Sequence, residues 1–150
     1  MSERMKENNP FELPDLSPPA LREVLSYWKK LRRGQAKIPF SDDIKLIHLP
    51  GRERDLFLLD VLAKPQRFRF SIVGENIVKA YGEDVPGVFL DELERSPPFG
   101  LLHSQASAAA ELRAPTFHAG ENYVRLLLPA WGDGHVSALL GIVVPQMMPI

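Results

Sequence analysis

Residues 56–93 read LFLLDVLAKPQRFRFSIVGENIVKAYGEDVPGVFLDEL, two strand-like runs followed by short helical pieces with almost no slack between them. Leu56–Leu62 is too continuously apolar for a half-exposed strand, and its short length, bounded by charge and Pro65, predicts a strand covered on both faces. Lys64-Pro65-Gln66 makes a tight connection. In Phe68–Val73, Phe68, Phe70 and Ile72 alternate with Arg67, Arg69 and Ser71, the period-two pattern of one buried face. The two runs therefore predict a hairpin. Gly74 ends the second strand, Ile77, Val78 and Tyr81 mark a short helix closed by Gly82, and Pro86-Gly87 turns the chain into a helical piece at Phe89–Leu93.

Downstream, Ser96-Pro97-Pro98 has the cap-plus-proline form of a helix start. The helix it predicts runs to about Glu111, with Phe99, Leu102, His103, Ala106 and Ala110 on its apolar face. Arg113-Ala114-Pro115 breaks it. Thr116–His118 begins a strand, Ala119-Gly120-Glu121-Asn122 is a turn, and Tyr123–Pro129 and Val136–Val144 are strands. Gly132-Asp133-Gly134 joins these last two with hairpin turn chemistry. Both are so rich in apolar residues that they belong at the centre of a sheet.

Upstream, residues 1–16 are polar and show no period, which predicts a mobile arm with Phe11 and Leu13 as local anchors. The remainder, 17–150, reads as one domain. Ser17-Pro18-Pro19 opens a helix over 18–33, where Leu21, Val24, Leu25, Trp28 and Leu31 form one stripe and Gly34 suits the C-terminal cap. That stripe packs either on the chain's own sheet or on a dimer or partner surface. Lys29, Lys30, Arg32, Arg33 and Lys37 gather at the end of this helix. A solvated helix end complementing the macrodipole accounts for them better than a nucleic-acid footprint. Ser41-Asp42-Asp43 reads as another N-cap, followed by a short turn that Pro50-Gly51 ends.

The chain has 150 residues, a net charge of −1 and no cysteine. Its size suits one domain with a proper core, and its near-neutral charge offers no global attraction for nucleic acid or anionic membrane. Without cysteine there are no disulfides, thiolate nucleophiles or thiol-linked chromophores, which fits a cytoplasmic setting. No apolar stretch approaches the roughly 18 residues that span a bilayer. The 14 prolines fall mostly at element boundaries and argue for many short elements over a helical bundle.

Helix, two strands, helices and three strands is an α+β plan, a five-stranded antiparallel sheet with helices on one face and an extra N-terminal helix. The chain resembles the PAS superfamily, and within it the small bacterial stand-alone PAS proteins of unassigned function. The matching residues are Tyr27-Trp28, Leu58-Leu59-Asp60-Val61, Phe68-Arg69-Phe70, Val73-Gly74, Tyr81-Gly82 and Gly87. Leu126-Leu127-Leu128-Pro129 and Gly132-Asp133-Gly134 follow, so that the likeness covers roughly residues 20 to 145. The resemblance implies a cavity lined by the helix at 97–111 and the last two strands, and a role in sensing or signalling.

In such a cavity His103 is a packed core residue, a polar anchor for a small ligand, or an axial haem ligand. The flavin-binding branch uses a cysteine motif absent here, which excludes it. Arg125 is either an exposed strand residue or a buried cation wanting a carboxylate ligand or Asp91 or Glu92 as partner. Tyr81, Phe89, Phe99 and Trp131 form an aromatic wall or simply core. Leu21, Val24, Leu25 and Trp28 are the candidate partner or dimer surface.

Catalytic signatures are lacking. The histidines at 48, 103, 118 and 135 have no metal spacing, and no nucleophile elbow, Walker loop or dinucleotide fingerprint is present. An isomerase or dehydratase would need Asp91 or Glu92 beside His103 or His118 in a cavity. The expectation is therefore a cytoplasmic single-domain PAS sensor or adaptor that binds a small molecule, a signalling protein or a second copy of itself. With no effector segment of its own, it would pass its output through a partner or through dimerisation. A ligand-free interaction module and a small cavity enzyme are the alternatives.

Overall fold

The computed structural model describes residues 11–16, 18–93 and 98–146. One open antiparallel sheet holds β1 (Leu56–Leu62), β2 (Arg67–Val73), β3 (Thr116–Gly120), β4 (Tyr123–Gly132) and β5 (His135–Pro145), in the order β2-β1-β5-β4-β3. The described helices are α1 (Pro19–Leu31), α2 (Glu75–Tyr81) and α3 (Leu102–Leu112), with short 3-10 turns between them. This is the expected α+β plan in a PAS-like arrangement, with α2 and α3 in the connection from β2 to β3 and α1 ahead of the sheet.

The most apolar strands lie inside, as their composition requires. β5 sits between β1 and β4, and Tyr123–Ala130 is buried at every residue. Side chains alternate across a strand, so a strand buried throughout must be covered on both sides. Arg125 reaches α3 on one side through Gln105. Leu126 and Leu128 point the other way and are also fully buried, on the side where α1 packs against β4 and β5. β1 is covered less evenly than its sequence predicts: Phe57, Leu59 and Val61 are buried, but Leu58, Asp60 and Leu62 only half so.

Turn chemistry sets the registers. Asp133 and Gly134 both have positive φ (52° and 82°), the conformation of the two-residue turn that matches strand twist. The β1–β2 hairpin closes through a cis Lys64–Pro65 peptide. Its pairing slips between Leu58↔Ile72 and Leu59↔Phe70. That slip corrects the reading of Ile72. Phe68 and Phe70 are buried, but the irregularity sends Ile72 to the other face, where it is 46% exposed. At the end of β2, Gly74 passes so close to the chain at 53–54 that a Cβ would lie 2.4 Å from the Arg54 carbonyl oxygen. Only glycine fits there.

Two helix starts differ from expectation. Ser17, Ser96 and Pro97, predicted to open helices, lie outside the described residues, but α3 begins only at Leu102, after Leu101 in a left-handed conformation (φ 58°). Its buried face is Leu102, Gln105, Ala106, Ala109 and Ala110, which admits Gln105 and excludes His103. Ser41–Asp43 is itself a 3-10 turn without a side-chain cap, and Asp43 instead accepts both hydrogen bonds of a fork from Arg33 (2.9 and 2.7 Å). Residues 11–16, expected within a mobile arm, pack against the body. Phe11 and Leu16 are buried, Leu13 touches the core, and the Phe117 N–H donates to the Phe11 carbonyl at 2.9 Å.

Candidate functional site

The space between α3 and the sheet, where a cavity was expected, is built around Arg125. It stands on β4 with its side chain fully buried, correcting the reading of an exposed strand arginine. Its guanidinium donates from Nε to Gln105 Oε1 (2.7 Å), from Nη1 to the Pro98 carbonyl (2.7 Å) and from Nη2 to the Gly100 carbonyl (2.8 Å). Gln105 in turn donates through Nε2 to the Thr116 carbonyl (3.0 Å) and hydroxyl (3.2 Å). One network thus ties α3, β3, β4 and the 98–100 loop together. Among the described residues no carboxylate joins it.

A buried cation without an anion is costly unless dipoles replace its water. Carbonyl and amide oxygens do so here, and among the described residues no buried side-chain nitrogen or oxygen lacks a partner. Burial pushes Arg125 down to about 10, against the opposing influence of Tyr123, which leaves it protonated at neutral pH. Across the strand pair, His118 faces Arg125. Partial burial, reinforced by that neighbouring cation, holds its imidazole below the ordinary value of 6.5.

Aromatic rings fill the rest of this layer. Phe99 is buried between Phe70 (centroids 5.1 Å apart) and Tyr81 (4.8 Å), and Phe57 packs on Phe70 at 5.9 Å. Phe57 also lies over Gly141, where a Cβ would fall 2.2 Å from its ring. Tyr81 and Phe99 therefore meet, as half of the expected aromatic wall. Phe89 and Trp131 do not join them. Phe89 is half-buried beneath Arg67 (3.7 Å from the ring centroid), and Trp131 lies at the far end of β4 beneath Arg113 (4.8 Å).

His103 is exposed, with its ring edge-on to Phe68 at 5.4 Å. It is neither a packed core residue nor an interior axial ligand, because the later start of α3 turns it outward. With Asp91, Leu93 and Leu101 it lines a surface pocket of about 310 Å3. Asp91 and His103 thus share a pocket, as a cavity enzyme would need. Both Asp91 carboxylate oxygens, however, accept from Arg67 (2.9 Å each), and that hydrogen bonding holds the acid below its ordinary range. A carboxylate so engaged is a weak base. Asp91 therefore partners Arg67, not Arg125, and among the described residues no cluster of three His, Asp or Glu could hold a metal ion.

The helical stripe is equally committed. Leu21, Val24 and Trp28 are buried within the chain, Leu25 is half-buried, and Trp28 Nε1 donates to the Pro129 carbonyl at 2.8 Å. Sequence reasoning passed over Gln105 and Thr116. The signal was a glutamine three residues after Leu102 and four before Ala109, the phase of a buried face. No helix among the described residues is long and apolar enough to cross a membrane. A scan of protein-family models finds no match, and searches of curated proteins and of solved structures find none either.

Proposed function

We propose that this chain is a cytoplasmic, PAS-type adaptor that works through protein contacts at its surface and carries no ligand between α3 and the sheet. The strand order and the helical connection from β2 to β3 support the PAS assignment. The observation that carries the adaptor reading is the Arg125–Gln105–Thr116 network. A polar anchor poised for a small molecule faces open space, whereas Arg125 is fully buried and each of its three nitrogens already donates within the chain, to Gln105, Pro98 and Gly100. Phe99 and Phe57 are buried in the same layer, both packed on Phe70.

Native mass spectrometry of freshly purified protein tests this reading. The expected result is the bare polypeptide mass, as monomer or as dimer. A reproducible extra mass that is lost on denaturation would replace the adaptor with a sensor.

A further inference from the structure

The network engages Arg125 in the interior, but one stretch of surface is left with its chemistry unspent. The segment after α1 runs alongside the end of β4: the Trp131 N–H donates to the Pro39 carbonyl at 2.8 Å, and Phe40 bridges to Trp131 as a parallel neighbour. Their side chains stay outside. Phe40 is 41% exposed and Trp131 half-exposed. Between them opens a groove of about 320 Å3, lined by Ala36, Lys37, Ile38, Phe40, Arg113 and Trp131. Its floor is apolar. Its two charged residues are both cations.

The charges are also unmatched. Among the described residues Lys37 and Arg113 form no ion pair, and neither do Lys29, Lys30 and Arg32 on the last turn of α1 and just beyond it. Arg113 lies with its guanidinium carbon 4.8 Å from the Trp131 centroid. An arginine held on an aromatic face keeps in-plane N–H groups available, the geometry that takes a carboxylate through two parallel hydrogen bonds. On the other side of the aromatic pair the sign changes, because Asp42 and Asp133 line the adjoining pocket of about 370 Å3 with Arg33. A phosphate backbone running across Phe40 and Trp131 would meet those acids, which disfavours single-stranded nucleic acid despite the aromatic rings.

We infer that the Phe40–Trp131 groove docks an acidic, apolar peptide segment of a partner protein, with an aromatic or leucine side chain between the rings and acidic side chains on Arg113 and Lys37. This rests on the adaptor reading and gives it a surface and a partner chemistry. The exposed aromatics are the anchors expected of a peptide-binding hot spot, and the surrounding cations supply steering and register. Strand β4 supports the groove from below.

The test is selection of a displayed library of random dodecapeptides on the full chain, followed by fluorescence anisotropy of the winners. Enrichment of Asp or Glu beside Phe, Trp or Leu is expected. Binding of those peptides should weaken at least about tenfold when Lys37→Glu and Arg113→Glu are combined, both at exposed positions with no ion pair to lose. It should also shift a tryptophan emission that Trp131→Phe abolishes, since the other tryptophan, Trp28, is 2% exposed. Enrichment of basic or neutral peptides would overturn the proposal, as would affinities untouched by the double reversal. So would oligothymidylate binding more tightly than the selected peptides. Winners that bind elsewhere on the chain overturn the groove but leave the adaptor reading standing. A tightly held small molecule in the native mass spectrum would do the reverse.

Discussion

Arg125 concentrates the energetics at the scale of single residues, because its side chain is fully buried and the hydrogen bonds it makes among the described residues go to neutral oxygens. Removing it takes the donor from Gln105 Oε1 and from the Pro98 and Gly100 carbonyls. Arg125→Met, which keeps most of the volume, is therefore expected to cost ~2–4 kcal/mol in urea unfolding. A loss below ~1 kcal/mol would mean that the network adds nothing beyond packing. The direction of this side chain was hidden in the sequence for a physical reason. YVRLLLPAW is apolar on both faces, so no polar partners mark which parity faces which layer. His118 gives the molecule a pH signature. Its folded pKa lies below the ordinary 6.5, so the unfolded chain takes up a proton first as pH falls. Stability is unaffected by this group above 6.5 and declines as pH drops below it, toward the folded value. His118→Gln should flatten that decline in thermal melts at pH 5 relative to pH 7.5, and an unchanged slope would exclude His118 as the cause.

The elements themselves were largely legible, and the misreadings sit where one residue resets a phase. The β1–β2 and β4–β5 hairpins follow from alternation and from Gly132-Asp133-Gly134. Ile72 was misplaced because pairing register cannot be read where the strand is interrupted by a bulge. His103 was misplaced because the start of α3 depends on Leu101 turning left-handed, which the proline pair does not announce. Two variants probe how the elements are held. Gly74→Ala should destabilise by ~1–3 kcal/mol, because the clash is with backbone that cannot swing aside. Equal stability to the parent would show that the 53–55 turn is pliable. Trp28→Ala removes the largest side chain of the α1 stripe along with its hydrogen bond to Pro129, and should cost ~3–5 kcal/mol. Hydrogen exchange then separates two kinds of α1. If its amides are protected as deeply as those of β4, the helix is part of the core. If they open at much lower free energy, it is free to exchange partners.

For the whole molecule, the arrangement is a sheet buried on both sides at its centre, with Arg125 tied into the interior by hydrogen bonds and, among the described residues, a surface carrying unmatched cations beside partly exposed rings. The fold class could be reached from element order alone. The division of labour between interior and surface could not, because it depends on Arg125 facing in, His103 facing out and Trp131 lying apart from Phe99. The adaptor reading stands on the first of these. Its most direct test is side-chain hydrogen exchange at the Arg125 Nε–H by nitrogen-15 NMR at neutral pH. A closed interior predicts a persistent resonance whose protection approaches that of the β4 amides. Exchange as fast as that of the exposed Arg113 would mean that water, and with it a ligand, reaches the space beneath α3, and the account would be wrong at its centre.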